Sequence, residues 1–439
     1  MKLKSIHLQN YRAHKDLTVK FDSRFTVVAG VNGSGKTSLL NGIADGVMYV
    51  SQGGIFSKIR DAFPDEFYYS KVGSAHLCMV KTNGRFRFEP QYPIHIHPVI
   101  DFNEPETEEN GLILKKDELA SVGFKHVEEQ DSSMSDINET FPLIAFYRAK
   151  RSWLTDAQSV NEMQAVQDKP FRMDGYKGWR DAGANTASLQ NWIIAKCLER
   201  YQRCSETGLL FDQIKDDELA LVNLALKHAV ENISGLRYDM HQKGILVDWN
   251  AREGVEAASV LFDNLSDGER VIICLVADIA RRICLLNPQL GERATVETPG
   301  VVLIDELDVH LHPKWQRLIV KGLKAAFPSL QFIAASHSPQ ILGELLPEEI
   351  VLLRSGGQDT QHPPVSYGLD SGQVLKEIMD APARNEDVEK KVEQLFTHIE
   401  AGKLDMAETA LAKLKSEAPH IPELAGAEAL ILRKKVLGR

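Results

Sequence analysis

The chain has 439 residues, of which 43% are hydrophobic and 26% charged, and a formal net charge of -10. Such a composition builds a globular protein with a sizeable core and two or three substructures, and excludes disordered, fibrous and disulfide-framed chains. The acidic balance repels nucleic acid over the surface as a whole, so any DNA contact needs a local basic patch.

The five cysteines (Cys78, Cys197, Cys204, Cys274, Cys284) are odd in number and lack CxxC spacing, as expected of reduced thiols. No apolar run approaches membrane-spanning length, and the chain opens on strand-like residues rather than a signal-peptide core. A cytoplasmic location is the expectation.

Phe25, Val27 and Val28 read as a strand that runs into Gly30-Val-Asn-Gly-Ser-Gly-Lys-Thr37, followed by a helix carrying Leu39, Leu40 and Ile43. Glycines at 30, 33 and 35 let the backbone wrap around phosphates, with N–H groups pointing inward as an anion nest. Lys36 supplies a cation for the β- and γ-phosphates of ATP, and Thr37 a hydroxyl ligand for Mg²⁺. The helix N-terminus adds its dipole.

Ala75 to Phe88 reads as a hairpin turning at Asn83-Gly84, and Asp101 to Ser135 as an exposed acidic insertion. Phe141 to Phe146 is a strand, continuing into the basic string Tyr147-Arg148-Ala149-Lys150-Arg151. From Trp153 to about Ser234 the pattern is helical. Leu189, Trp192, Ile193, Ala195 and Cys197 share one helix, and Leu219, Leu221, Val222, Leu224 and Leu226 another. Leu236 to Trp249 reads as a second hairpin.

Leu265-Ser-Asp-Gly-Glu-Arg270 then opens a helix from about Asp267 through Ile283. Val301 to Ile304 is apolar on both faces, the mark of a buried parallel strand, and ends in Asp305-Glu306. Ligands sit at that carboxyl edge of such sheets. Asp305 suits the Mg²⁺ shell, and Glu306 the orientation or deprotonation of an attacking water. Phe332 to Ala335 repeats the buried-strand pattern and delivers Ser336-His337 to the same edge, where His337 can reach a γ-phosphate. His310 and His312 have no neighbours in sequence to complete a zinc ligand set.

After Leu352 come amphipathic faces: Val388, Val392, Leu395, Phe396 and Ile399; then Ala407, Ala410, Leu411 and Leu414; then Leu424, Leu430 and Leu432. Gly402 and the stretch from Pro419 to Pro422 punctuate them. A helical-hairpin unit of this kind is an oligomerisation or partner-docking element, or else packs on the rest of its own chain.

The four strings GVNGSGKT, LSDGER, VVLIDELD and AASHSPQ, in this order, resemble those of ABC-type ATPases. The opening QNYRAHKDL places the resemblance on the SMC and RecF side. It implies an α/β fold: an ABC-type P-loop head with a mixed sheet, flanking helices and two lobes, a helical insert, and an α-helical C-terminal tail. The expected divisions are 1–150 (first lobe), 151–234 (insert), 235–375 (second lobe) and 376–439 (tail).

The same resemblance implies nucleotide contacts from Asn32, Gly33, Ser34, Gly35, Lys36, Thr37 and Ser38. Ser266 and Gly268 would reach the nucleotide of a second copy, making a head-to-tail homodimer, or a higher oligomer of dimers. Asp308 matches the family's D-loop aspartate, and Arg12 an arginine directed at phosphates.

LSDGER, LIDELDVHLHPKWQR and QFIAASHSPQIL further resemble Septu-type (PtuA) bacterial defence ATPases, also found with some retrons. In that family a separate HNH nuclease (PtuB-like) joins the ATPase in one anti-phage complex, through which DNA can be reached.

The resemblance has one departure. ABC-type proteins carry a glutamine after the lobe-joining strand, and none follows Phe146 directly; Gln158, Gln164 and Gln167 lie farther along. Two other classes compete with defence. One is a RecF-like DNA repair ATPase. The other is a transporter motor, disfavoured because Lys36 and Ser266 stand 266 − 36 = 230 residues apart, about twice the spacing of those motors by family resemblance.

Overall fold

In a computed structural model, the described residues are 1–50, 95–101, 140–150, 171–184, 186–251, 255–354 and 360–437. The expected hairpin at 75–88, nearly all of the acidic insertion, and Gln158, Gln164 and Gln167 lie outside them. The chain divides into two units, Met1–Gly368 and Leu369–Arg439.

In the first unit, β1 (Lys2–Tyr11) pairs antiparallel with β2 (His14–Lys20) and, on its other edge, with β4 (His95–Asp101). The central sheet has the order β12-β11-β3-β10-β9-β5. Its strands are β3 (Phe25–Ala29), β5 (Leu143–Tyr147), β9 (Gly300–Ile304), β10 (Leu330–Ala335), β11 (Ile350–Leu353) and the short β12 (Thr360–Gln361). The strands from β11 to β5 run parallel, and β12 closes the edge antiparallel. Every residue of β3, β5, β9 and β10 is buried, as apolar runs covered on both faces require. Phe25 and Phe332 stack across the β3–β10 pair at 5.5 Å.

One polar residue staples the two sheets. Buried Gln331 in β10 accepts from Leu3 N at 2.7 Å and donates to Leu3 O at 2.8 Å and Asp22 O at 2.7 Å. A buried amide stays cheap only while its donors and acceptors are paired, so Gln331 fixes where β1 sits on β10.

Helix α1 (Lys36–Val50) follows β3 and packs on β9, β10 and β4. Helices α2 (Thr186–Thr207) and α3 (Glu218–Ala229) lie in the expected helical stretch, whose part at 153–170 falls outside the described residues; 3₁₀ turns at Arg172–Tyr176 and Trp179–Ala184 precede them. Leu189, Trp192, Ile193 and Cys197 are buried as expected. Leu224 is not. It is 44% exposed, and Ala225 takes its inner place between Val222 and Leu226, because the 3.6-residue period carries position 224 past the apolar stripe.

The second hairpin is β6 (Ile233–Asp239) and β7 (Gly244–Trp249), extended by a third strand, β8 (Ala258–Leu261). Helix α4 (Asp267–Leu286) is buried continuously from Val271 to Leu286. Helix α5 (Pro313–Ala326) begins on His312, whose Nδ1 accepts from Lys314 N at 3.3 Å.

The second unit holds α6 (Ser371–Glu377), α7 (Glu386–Glu400), α8 (Leu404–Glu417) and α9 (Glu423–Leu437). Its core joins Val392, Leu395 and Ile399 to Ala407, Leu411 and Leu414, and to Leu424, Ala427 and Ile431. The third face therefore differs from expectation. Leu430 and Leu432 point outward, and the 424–427–431 spacing puts Ala427 and Ile431 inside.

Candidate nucleotide site

The phosphate loop lies between β3 and α1, at the carboxyl edge of the central sheet. Gly35 has φ +97°, and a Cβ there would meet His14 at 2.5 Å, so two independent reasons demand glycine. His14 is buried and its Nε2 lies 3.0 Å from Gly35 O. It props the loop from beneath. Sequence reasoning missed it, although it stands inside the quoted QNYRAHKDL string.

Asn32 and Gly33 are exposed on the loop, Ser38 is half-buried, and Thr37 opens to solvent. Ser34 Oγ is buried without a hydrogen-bond partner among the described residues. An unpaired buried hydroxyl beside a ring of glycines fits a loop shaped to receive phosphate oxygens. The Lys36 ammonium donates to the carbonyls of Gly30 at 3.0 Å and Val31 at 3.1 Å. Burial pulls it below the ordinary lysine range, while Asp305, Glu306 and Asp308 push it back up.

The acidic pair is held by backbone on both sides. Asp305 N donates to Tyr147 O on β5 at 2.8 Å, and Leu307 N to Ala335 O on β10 at 2.9 Å. Between these two anchors Glu306 takes φ +49°, an uncommon conformation for a residue with a Cβ. Thr37 Oγ1 donates to Asp305 Oδ1 at 3.3 Å. A hydroxyl and a carboxylate at that separation are hard oxygen donors of the kind Mg²⁺ takes, so the residues fit the cation.

His337 reaches the same edge. Burial lowers its imidazole below the ordinary histidine range and the Lys36 charge lowers it further, against Asp308, Glu306 and Asp305. Both lowering causes favour the neutral imidazole. Asp308 accepts from Ser336 Oγ at 2.6 Å and from His337 N at 3.2 Å.

Arg12 is exposed at the β1–β2 turn with φ +50°, its guanidinium 5.5 Å from the Tyr11 ring. The next residue, Ala13, abuts Gly35, so the turn borders the phosphate loop. Tyr11 itself is structural: its buried hydroxyl donates to Asp45 Oδ2 on α1 at 2.6 Å, and Arg180 pairs with the other oxygen.

Leu265 to Arg270 stands at the start of α4. Ser266 caps α4 in a box with Glu269, its hydroxyl 2.7 Å from Glu269 Oε2. Gly268 lies against the 308–312 loop, where a Cβ would stand 2.6 Å from His310 O. Among the described residues, no hydrogen bond joins Ser266 or Gly268 to the phosphate loop of the same chain.

At the end of β5 there is no glutamine among the described residues. Exposed Arg148 stands there, with Nε donating to Arg180 O at 3.1 Å. Tyr147 turns inward and donates to Asp278 Oδ2 on α4 at 2.8 Å.

The AAA domain family matches residues 5–232, more than half of the chain. The chain belongs to the AAA-domain family. A second AAA-domain family, named for the AbiEii toxin of type IV toxin–antitoxin systems, matches residues 207–343. Among individual proteins, this AAA-domain chain is 25% identical to the retron Ec83 probable ATPase of Escherichia coli, over 88% of its own length and 77% of that protein. It is 31% identical to the Septu protein PtuA of Bacillus thuringiensis, over 54% of its length and 57% of that protein. The SMC head domain from Thermotoga maritima aligns at 14% identity with a TM-score of 0.35, covering 83% of this chain and 99% of that one. The chain thus carries an AAA-type ATPase domain and is similar in sequence to retron ATPases and to Septu PtuA. No helix among the described residues is long and apolar enough to cross a membrane.

Proposed function

We propose that the chain binds Mg-ATP at the edge formed by the phosphate loop, Asp305-Glu306 and His337, and hydrolyses it between two copies arranged head to tail. The 3.3 Å approach of Thr37 to Asp305 carries this reading, because it brings together two oxygens of the kind Mg²⁺ takes. Asn32 to Ser38 hold the phosphates, with Lys36 moving off its own loop carbonyls onto phosphate oxygens. When bound, Mg²⁺ supplies positive charge to the β- and γ-phosphate oxygens. Glu306 takes the proton of the attacking water as oxygen bonds to the γ-phosphorus and ADP leaves. Neutral His337 donates a hydrogen bond to the γ-phosphate.

Ser266 and Gly268 close the site from the second copy, at a helix N-terminus suited to an anion. Asp308 links the D-loop to His337, and Arg12 adds a cation at the rim. With no glutamine directly after β5, the nucleotide acts as a ligand switch at least as much as a fuel. The output is regulation of a separate HNH nuclease (PtuB-like) in anti-phage defence, as the likeness to Septu and retron ATPases suggests. The second unit, Leu369–Arg439, is the oligomer or nuclease docking element.

Calorimetry with Mg-ATP tests the site. Lys36→Ala is expected to lose binding, and unchanged affinity overturns the assignment. Glu306→Gln is expected to bind normally, stop turnover and accumulate as an ATP-bound dimer in sedimentation. Co-purification with the product of an adjacent HNH gene tests the output.

A further inference from the structure

A second cleft lies apart from the phosphate loop. It has a volume of about 380 Å³ and is walled by the end of α3, the rim of the β6–β7–β8 sheet, the first turn of α4 and the first turns of α5. That volume falls in the range of ligand pockets and admits one long side chain with its flanking backbone. Two half-buried indoles, Trp249 and Trp315, line it. Three carboxylates, Glu231, Glu256 and Glu269, share it with one ammonium, Lys314.

The charges do not cancel. Lys314 is 2.7 Å from Glu231, which neutralises that pair. Glu269 accepts from the backbone N and hydroxyl of Ser266, and Glu256 is exposed. By formal charge the lining therefore has a negative excess, beside two indole side chains. That combination favours a cation over the rings and repels phosphate. A second copy of the chain, at net charge -10, is repelled on average as well.

We propose that this cleft receives an arginine or lysine side chain from a basic segment of a partner protein. The indole faces take the cation, Glu256 and Glu269 compensate its charge, and the aliphatic stem lies along the Trp315 side. No residue of the phosphate loop lines the cleft, and Glu269 joins it to Ser266 at the head of α4.

The test uses the full chain labelled with 5-fluorotryptophan, whose five tryptophans give five ¹⁹F signals. Trp249→Phe and Trp315→Phe assign two of them. The peptide acetyl-Ala-Ala-Arg-Ala-Ala-amide should shift those two signals saturably and leave the other three in place. The same peptide with citrulline, which is neutral and nearly isosteric, should shift neither. Glu256→Gln should weaken the arginine peptide about threefold or more, the loss of one partly exposed charge. No saturable shift, an equal response to citrulline, or an equal response to AMP or a dinucleotide overturns the proposal. The arginine–citrulline comparison is made on the unsubstituted protein, so it decides even if a tryptophan variant fails to fold.

Discussion

The carboxylate of Asp308 accepts a 2.6 Å hydrogen bond from the hydroxyl of Ser336, and so ties the loop after β9 to the end of β10. The same oxygen takes the backbone N–H of His337 at 3.2 Å. The position of His337 is thereby set by a residue two beyond Glu306. Asp308→Ala should release it. We expect ATP affinity within about threefold of the parent and turnover reduced about tenfold or more, since a positioning contact acts on the reaction step more than on ground-state binding. Ser336→Ala should reproduce part of the loss, and the double variant should lose less than the sum. A kcat unchanged by Asp308→Ala rejects the link.

The electrostatic coupling of His337 to Lys36 can be read directly. Burial is the larger cause of the lowered imidazole and the Lys36 charge the next. Removing the charge should raise the His337 pKa toward the ordinary value without reaching it, because burial persists. Histidine NMR on nucleotide-free Lys36→Met measures this. A pKa that stays put or falls contradicts the arrangement.

Gly268 is constrained by its own chain before any second copy arrives. A Cβ there would stand 2.6 Å from His310 O, and backbone yields less readily than a flexible side chain. Gly268→Ala should cost about 1–3 kcal/mol of stability through overpacking and push the 308–312 loop away from α4. Thermal unfolding and ATP-dependent dimerisation are the measurements. An alanine variant with unchanged stability would show that the two segments separate freely.

Much of the site was legible because its residues follow one another in sequence. Val301 to Ile304 and Phe332 to Ala335 are apolar on both faces, which marks buried parallel strands, and their polar ends fall on one edge by topology. The start of α4 came with the LSDGER resemblance, and in the structure Ser266 and Glu269 form its capping box. What stayed hidden depends on partners distant in sequence. Gln331 staples Leu3 across 328 residues, and His14 props Gly35 from a neighbouring hairpin. Neither residue type signals such a role by itself. Leu430 and Leu432 misled for a different reason: in a small three-helix core, spacing outranks side-chain size, and Ala427 and Ile431 occupy the facing positions.

The most costly single change away from the nucleotide should be at Asp278. It is buried in α4, accepts from Tyr147, and is paired with Arg282 at 2.7 Å and Arg281 at 2.6 Å. Arg282 also donates to the carbonyls of Gly175 and Lys177, so one cluster joins α4 to β5 and to the turn before α2. Burial alone would raise the Asp278 carboxyl; Arg282 and then Arg281 outweigh it and bring the group to about 2. The folded value lies below the unfolded one, so this carboxylate stabilises the fold above about pH 4. That contribution fades as pH falls toward 2. Asp278→Asn leaves two guanidinium groups buried without their counter-charge, which costs about 3–5 kcal/mol. Urea unfolding at pH 7 should show that loss, and between about pH 4 and 3 the variant should show a shallower dependence of stability on pH. A loss at pH 7 under about 1 kcal/mol would mean the arginines find water or other acceptors on substitution, and that α4 is not locked to β5 by this charge.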